Sequence, residues 1–451
     1  MPSEPTPTTA PRLPFLIRAP FRLELATTLC FSVALSGVDG GVVSVLAKNL
    51  FAAATSPARL NLAVALLQAA PELANICSFL FANQAAGKPK VAMVNVLQLA
   101  VIGLIFVAAL SPVSGAGLVM FVALVVLARV CWSGIVTLRP TIWRANFPRE
   151  ARARLVGRIT TTQVLALSGG AFLLGSVLNG RPELFRVVMP ALACFGLAAF
   201  FLYRRMPVRG ERRLLLDERT QTPPLAPWRA PALVARVMRQ DRFFAEFMGC
   251  MFLLGLGNLM LAAIMAILLA EQFALREFLS IILITGMPYA IMPLAIPLWA
   301  RLLDRAHVVR FRSIHSWAFV LSTGVMMLGA ILHRIELMFA GSALQAIAMG
   351  GGALAWNIGH HDFSPPSQTS QYMATHVTLN GVRGLMAPFL SVGLYELLKE
   401  SGLEPLGLQP GAAVLAVSLL LCVFGALGFV RLNWKMQSTL KNFRRESAKK
   451  P

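Results

Sequence analysis

Twelve apolar runs, each about as long as a membrane-crossing helix, constrain this chain more than any other feature. They lie near residues 23–46, 60–83, 91–110, 116–137, 159–179, 184–203, 244–269, 278–300, 313–332, 336–358, 373–397 and 411–431. A helix needs roughly 20 apolar residues to cross the hydrocarbon core, so twelve consume roughly 240. Hydrophobic residues fill 57% of the 451 positions and charged residues 14%, whereas soluble domains run near about 45–50% and about 25%. The expected fold is an all-α membrane protein with twelve transmembrane helices in two six-helix halves.

The polar stretch 204–243, with ten arginines and the punctuation Pro223-Pro224 and Pro227, reads as a basic linker between the halves. The expected segments are a tail over 1–22, a first half over 23–203, the linker, a second half over 244–431 and a basic tail over 432–451. With the N-terminus in the cytoplasm, that side holds 32 of the 41 Lys and Arg, the opposite side holds 7, and Arg129 and Arg383 lie inside helices. The positive-inside rule then places both termini in the cytoplasm of a multi-pass protein of the cell's inner (plasma) membrane. The first 20 residues lack the short apolar region and small-residue cleavage site of a signal peptide, so the first helix is expected to act as the targeting signal.

A net charge of +21 raises nucleic acid as a partner, but that needs basic residues gathered on one folded face. Here they fall in short loops, and no nucleic-acid role is expected. Membrane lipid is the expected surface partner, and the tail residues Lys441, Arg444, Arg445, Lys449 and Lys450 suit anionic headgroups. The cysteines at 30, 77, 131, 194, 250 and 422 sit singly in apolar runs without CxxC spacing. That pattern fits buried packing better than a metal or disulfide.

Local motifs refine the class. After the eighth span the chain reads Ala300-Arg301-Leu302-Leu303-Asp304-Arg305, then Arg310; after the second span Gln84 is followed by Gly87, Lys88 and Lys90. The fourth span carries Arg129 and Ser133-Gly134, continuing through Pro140, Trp143-Arg144, Asn146, Pro148, Arg152, Arg154 and Gly157-Arg158. The eleventh carries Gly384 and Ala387-Pro388, while the fifth offers only Gly169-Gly170 and Gly175. This set resembles the major facilitator superfamily, and the stretch from Trp356-Asn357 to Arg383-Gly384 resembles its uncharacterised bacterial members. The resemblance implies alternating access, with Asp304 and Arg305 as gating residues; Gln84 departs from the acidic residue of the matching first-half loop. It also implies that the second and eleventh helices meet between the halves, and that the first, fourth, seventh and tenth line a cavity.

Ionisable groups inside spans are costly and usually face a cavity or a partner. Asp39, Glu72, Arg129 and Arg383 are the candidates for coupling or gating. At 1.5 Å per residue from the cytoplasmic end, Glu72 lies roughly 16 Å deep, Arg383 roughly 15 Å, Arg129 roughly 12 Å and Asp39 roughly 24 Å. Matching depth makes Glu72 and Arg383 an expected ion pair between the halves, either a gate or a permanent structural pair. Asp39, beside glycines 37, 40 and 41, is expected to stand apart without a cationic partner, and so to suit reversible protonation. A proton is the expected coupling ion; the alternative is a structural Asp near the outer surface.

His376, Asn380 and Arg383 share one face of the eleventh helix at i, i+4 and i+7. Trp132, Asn258, Gln345, Trp356 and Asn357 fall in the cavity-lining spans, as ligand contacts or as helix-packing groups. Gly350, Gly351 and Gly352 in the tenth span, and Gly255 and Gly257 in the seventh, mark broken or closely packed helices. The run His360-His361-Asp362 invites a metal or catalytic reading, but adjacent helical residues point about 100° apart, so no metal is expected. No Gly-rich phosphate loop with a Lys is present, and no cofactor is expected. The expected activity is secondary active transport of a small molecule, not enzymatic. The alternatives are a transporter-like sensor or assembly protein, and an embedded enzyme built on His360, His361 and Asp362. Two acids and two bases in the bundle favour neither a cationic nor an anionic substrate.

Overall fold

The computed structural model describes residues 15–178, 181–221, 231–274 and 282–447, with the single positions 226, 229 and 279. The predicted Pro223, Pro224 and Pro227, the tail's Lys449 and Lys450, and the side chains of Lys441, Arg444 and Arg445 lie outside that description, as does most of the start of the eighth span. Among the described residues, eleven helices are long and apolar enough to cross a membrane. The remaining predicted span is a π turn at Ile282–Gly286 leading into a helix at Met287–Arg305. Among the described residues every regular element is helical, in the predicted order of two six-helix halves.

The first half begins with α1 (Phe15–Leu35), a 3₁₀ turn at Ser36–Val38, and α2 (Gly40–Leu50). Ser36 Oγ donates to the Val33 carbonyl at 2.7 Å, and Asp39 adopts an extended conformation between the two helices. The first predicted span is therefore broken beside these glycines, with Asp39 at the start of α2. The half continues with α3 (Pro57–Ile76), α4 (Ser78–Gln84), α5 (Lys90–Ala108), α6 (Gly115–Asn146), α7 (Arg149–Leu178) and α8 (Phe185–Tyr203). The linker is not a bare loop, since it holds α9 (Glu211–Gln221) and α10 (Ala232–Gln240). The second half comprises α11 (Arg242–Glu271), α12 (Met287–Arg305), α13 (Val308–Ile331), α14 (Ile335–Ile358), α15 (Thr369–Ser401) and α16 (Pro410–Ser447).

On the basic side several helices run past the predicted span ends. α6 extends to Asn146 and α7 begins at Arg149, so all of Arg139, Arg144, Arg149, Arg152 and Arg154 are helical, Arg139 buried and the other four on the helix surfaces. The surface arginines reach toward solvent while their backbone remains hydrogen-bonded in the helix.

Two large apolar clusters organise the interior. One lies within the first half, around Phe31, Leu67, Val101, Phe121 and Phe185. The other joins the halves on the basic side, mixing Trp143, Phe147, Ala153 and Val156 with Phe244, Ile296, Leu354 and Tyr372. Outward-facing positions stay apolar, as at Phe172, Leu294 and Phe389, which suits a lipid surround.

The predicted glycines mark close packing in unbroken helices. A Cβ on Gly350 meets the Met292 carbonyl at 3.1 Å, and one on Gly257 meets the Ser418 carbonyl at 2.5 Å. Gly381 lies where α15 crosses α3, since its Cβ would stand 2.7 Å from the Glu72 carbonyl and 2.8 Å from the Ile76 amide nitrogen.

Candidate functional site

A cavity of about 230 Å³ lies inside the second half. Its walls come from Met251, Leu254, Gly255 and Asn258 on α11, Met292 on α12, Arg312 and Phe319 on α13, Met349, Gly352, Ala353 and Trp356 on α14, and Arg383 on α15. Five residues singled out in the sequence are among them: Asn258, Trp356, Arg383 and the glycines Gly255 and Gly352. Gln345 stands behind the wall, where its amide donates to Asn258 Oδ1 and its carbonyl accepts from Ser322 Oγ at 2.8 Å. His376 is buried against Trp356, with ring centroids 5.6 Å apart.

Arg383 is held from two sides. Nη1 donates to the Met251 carbonyl at 2.5 Å and Nη2 to Asn380 Oδ1 at 2.6 Å, while Nε is buried without a partner. Its guanidinium lies over Gly255, where a Cβ would come within 2.1 Å of Nη1. Only glycine leaves that space open. Gly255→Ala is expected to swing the guanidinium away and destabilise the fold by about 1–3 kcal/mol, through overpacking and the lost charge-assisted bond. Thermal unfolding of the purified variant checks this; an unchanged melting temperature would mean Arg383 is not seated there.

The expected ion pair between Glu72 and Arg383 does not form. Asn380 stands between them: its amide donates to Glu72 Oε2 at 3.4 Å while its carbonyl takes Arg383 Nη2. Depth matched, but an amide on the same helix as Arg383 is nearer to both groups than they are to each other. Asn75 also donates to Glu72, at 3.4 Å, and Gly384 makes room for the carboxylate, since its Cβ would lie 2.3 Å from Oε2.

Asp39 does have a cationic partner, contrary to expectation: Arg129 Nη2 lies 4.0 Å from Asp39 Oδ2. The depth estimate treated the first helix as straight and placed each charge at its Cα. The break at Ser36–Val38 and the long reach of an arginine side chain close that gap.

Asp304 and Asp362 clasp the halves on the basic side. Asp304 Oδ1 accepts from the Ala153 amide at 2.7 Å and Oδ2 from Arg154 Nε at 3.0 Å, so a carboxylate of the second half caps the start of α7 in the first. Asp362 takes Arg149 in a two-pronged pair (3.0 and 3.1 Å) and the Val308 amide at 2.7 Å. Arg144 donates to the His361 carbonyl at 3.0 Å and Ser364 Oγ at 2.7 Å, and Thr141 bonds Ser370 at 2.8 Å. Ser78 donates to the Ala374 carbonyl at 2.9 Å. Among the described residues no group of three metal-ligating side chains forms; His360 and His361 lie in a buried 3₁₀ turn beside the clasp.

The other predicted residues fall elsewhere. Trp132 stacks on Phe31 in the first half, with ring centroids 5.7 Å apart. Asn357 bonds back to the Ala353 carbonyl of its own helix at 2.9 Å, and Arg305 is exposed. Sequence reading missed Arg312, assigning it to a loop one residue before a span expected at 313. The start signal was present: His307 Nδ1 accepts the Val309 amide at 3.3 Å as an N-cap, so α13 starts at Val308 and Arg312 lies inside it. Also missed were Glu24 and Arg139, a pair buried within the first half at 2.5 Å.

The first-half loop solves its missing acid from a distance. Glu218 of α9 accepts Lys90 Nζ at 2.5 Å and the Gly87 amide at 2.8 Å, and Arg219 Nε donates to the Gly87 carbonyl at 3.2 Å. The linker thus supplies the carboxylate that Gln84 cannot.

These two halves, clasped on one side around interior charges, have the fold of major facilitator superfamily transporters. The human organic anion transporter MFSD10 (TETRAN) superposes with a TM-score of 0.63 at 15% identity, over 93% of this chain and 100% of that one. The proton:xylose symporter XylE bound to 6-bromo-6-deoxy-D-glucose gives 0.65 at 13%, over 92% and 95%. A bacterial homologue of the iron transporter ferroportin, in its outward-facing state, gives 0.65 at 12%, over 92% and 99%. No protein-family model and no curated protein matches the sequence.

Proposed function

We propose that this chain is a secondary active transporter that moves a small molecule by alternating access, with its termini and linker in the cytoplasm of the plasma membrane. The observation that carries the reading is the interhalf clasp. Its hydrogen bonds concentrate on the basic side, at Asp304, Asp362, Arg144, Thr141 and Ser78, next to an interior cavity that no helical core requires. Under the charge count that side is cytoplasmic, and the form described is closed to the cytoplasm. Opening it breaks discrete hydrogen bonds between two rigid bundles, the two-arrangement behaviour that alternating access needs.

Proton coupling runs, on this reading, through Asp39. It sits at a helix break, 4.0 Å from Arg129, so protonation would release the guanidinium and alter how α1, α2 and α6 pack. The fold neighbours include a proton:xylose symporter and the E. coli fucose:proton symporter. Asp39→Asn is expected to abolish dependence on a pH gradient while leaving counterflow in place; uptake by the variant that still tracks the gradient would end this assignment.

Compounds that raise the melting temperature of the purified protein provide the functional test. Loaded into proteoliposomes, they are expected to show counterflow, whereas saturable binding without counterflow would make the chain a sensor. The enzyme reading finds less support, because Asp362 is fully engaged by Arg149 and the start of α13.

A further inference from the structure

The two acids and two bases counted in the sequence favour neither sign of substrate, but Arg312 adds a second cation to the second-half cavity. Arg312 is 3% exposed and Arg383 8%, and both open onto the same space. Among the described residues neither forms an ion pair with a carboxylate. Arg312 Nη1 meets only His315 Nδ1, at 3.3 Å, and its Nε is buried without a partner, like that of Arg383. His315 is fixed in a neutral form by its two bonds: Nε2–H donates to the Ala348 carbonyl at 2.8 Å, so Nδ1 is left to accept from Arg312. Among the described residues the acid associated with this pair is Glu72, and Asn380 separates it from Arg383.

Two buried cations lining one cavity are unstable unless something negative balances them. Guanidinium groups match the paired oxygens of carboxylates, phosphonates and sulfonates, forming short charge-assisted bonds. Apart from Asn258, whose Oδ1 is taken by Gln345, the remaining side chains of the wall are apolar and deformable: Met251, Met292 and Met349 with Leu254, Phe319 and Trp356. Methionine fits itself to irregular apolar ligands. The volume of about 230 Å³ exceeds the about 150 Å³ of a cavity that holds benzene, and falls short of the roughly 300–1,000 Å³ of drug-sized sites.

We propose that this cavity binds a compact organic anion, its acidic head between Arg312 and Arg383 and its apolar body against the methionines and Trp356. The proposal deepens the transport reading and rests on it only for the step of translocation; binding stands separately.

The test uses full-length protein in detergent and three probes of one size: benzoate, benzamide and benzylammonium, with inorganic phosphate as a fourth. Benzoate is expected to raise the melting temperature saturably, while the other three do not. Arg312→Gln and Arg383→Gln should each weaken benzoate binding roughly 10- to 100-fold, the loss of one charge-assisted contact. Arg312→Lys should keep part of it and serves where the glutamine variant fails to fold. Equal responses to benzoate and benzamide, or a benzoate titration unchanged in Arg312→Gln or Arg312→Lys, overturn the anion assignment. Phosphate binding as well as benzoate overturns the role of the apolar wall. Benzoate binding without counterflow would leave the anion site standing and remove transport. Counterflow of a neutral or cationic compound, with no benzoate binding, would do the reverse.

Discussion

Glu24→Ala is expected to destabilise the protein by about 3–5 kcal/mol, because it leaves a buried guanidinium with no counter-charge. Arg139 donates to Glu24 Oε1 through Nε (2.9 Å) and Nη2 (2.5 Å), to Thr28 at 2.7 Å, and lies over the Trp143 ring at 5.1 Å; the Trp143 indole also donates to Glu24, at 2.7 Å. The two side chains are 1% and 7% exposed, so water cannot take over the solvation of Arg139. Replacing both partners, as Glu24→Leu with Arg139→Met, is expected to recover most of the loss, since an apolar pair of similar volume needs no balancing charge. Denaturant unfolding of the single and double variants in detergent measures this. A single-variant loss below about 1 kcal/mol would place the pair in a much wetter setting than its burial implies. The effect reaches the clasp, because Thr141 and Arg144, which bond the second half, follow Arg139 within two turns of α6.

Asp362→Ala is the second large effect, and it acts on conformation more than on folding. It removes the two-pronged pair with Arg149 and the acceptor for the Val308 amide. Arg149 is 37% exposed, so its share is discounted for screening, and the buried amide contact counts for more. A net loss of about 1–3 kcal/mol from the clasp shifts the balance toward the cytoplasm-open form by roughly 5- to 150-fold. A single cysteine at position 258, in a background with the six native cysteines replaced by serine, reports it through a membrane-impermeant maleimide. The parent is expected to label from outside and the Asp362→Ala variant increasingly from the cytoplasm. Identical labelling in both would mean that the clasp does not set the state.

The architecture was legible because lipid imposes a length and a composition on every spanning segment. The boundaries on the basic side were not, because arginine reads as loop in a hydropathy profile although a helix carries it easily past the bilayer surface. The same error hid Arg312, moved into a loop by a single residue of boundary. Interior charges were found one by one, but their partners depend on the rotation and breaks of helices. Asp39 therefore acquired Arg129, and Glu72 lost Arg383 to Asn380. The glycines were legible as close contacts; that Gly255 exists for Arg383 is a fact about two helices that no single segment states.

The linker helices carry a consequence for how the chain is divided. α9 is fastened to the loop of the first half by the buried Lys90–Glu218 pair and also packs on the Pro366–Gln368 turn of the second half, while α10 packs beside α11 and α15 of the second half and sets Leu233 against Ala82 of α4 in the first. The polar stretch is therefore a staple laid across the basic side and not a slack tether, each of its helices touching both halves. A gene split between α9 and α10 would yield two polypeptides whose linker helices each still grip the other half, and reassembly would need no peptide bond to bring Glu218 back to Lys90.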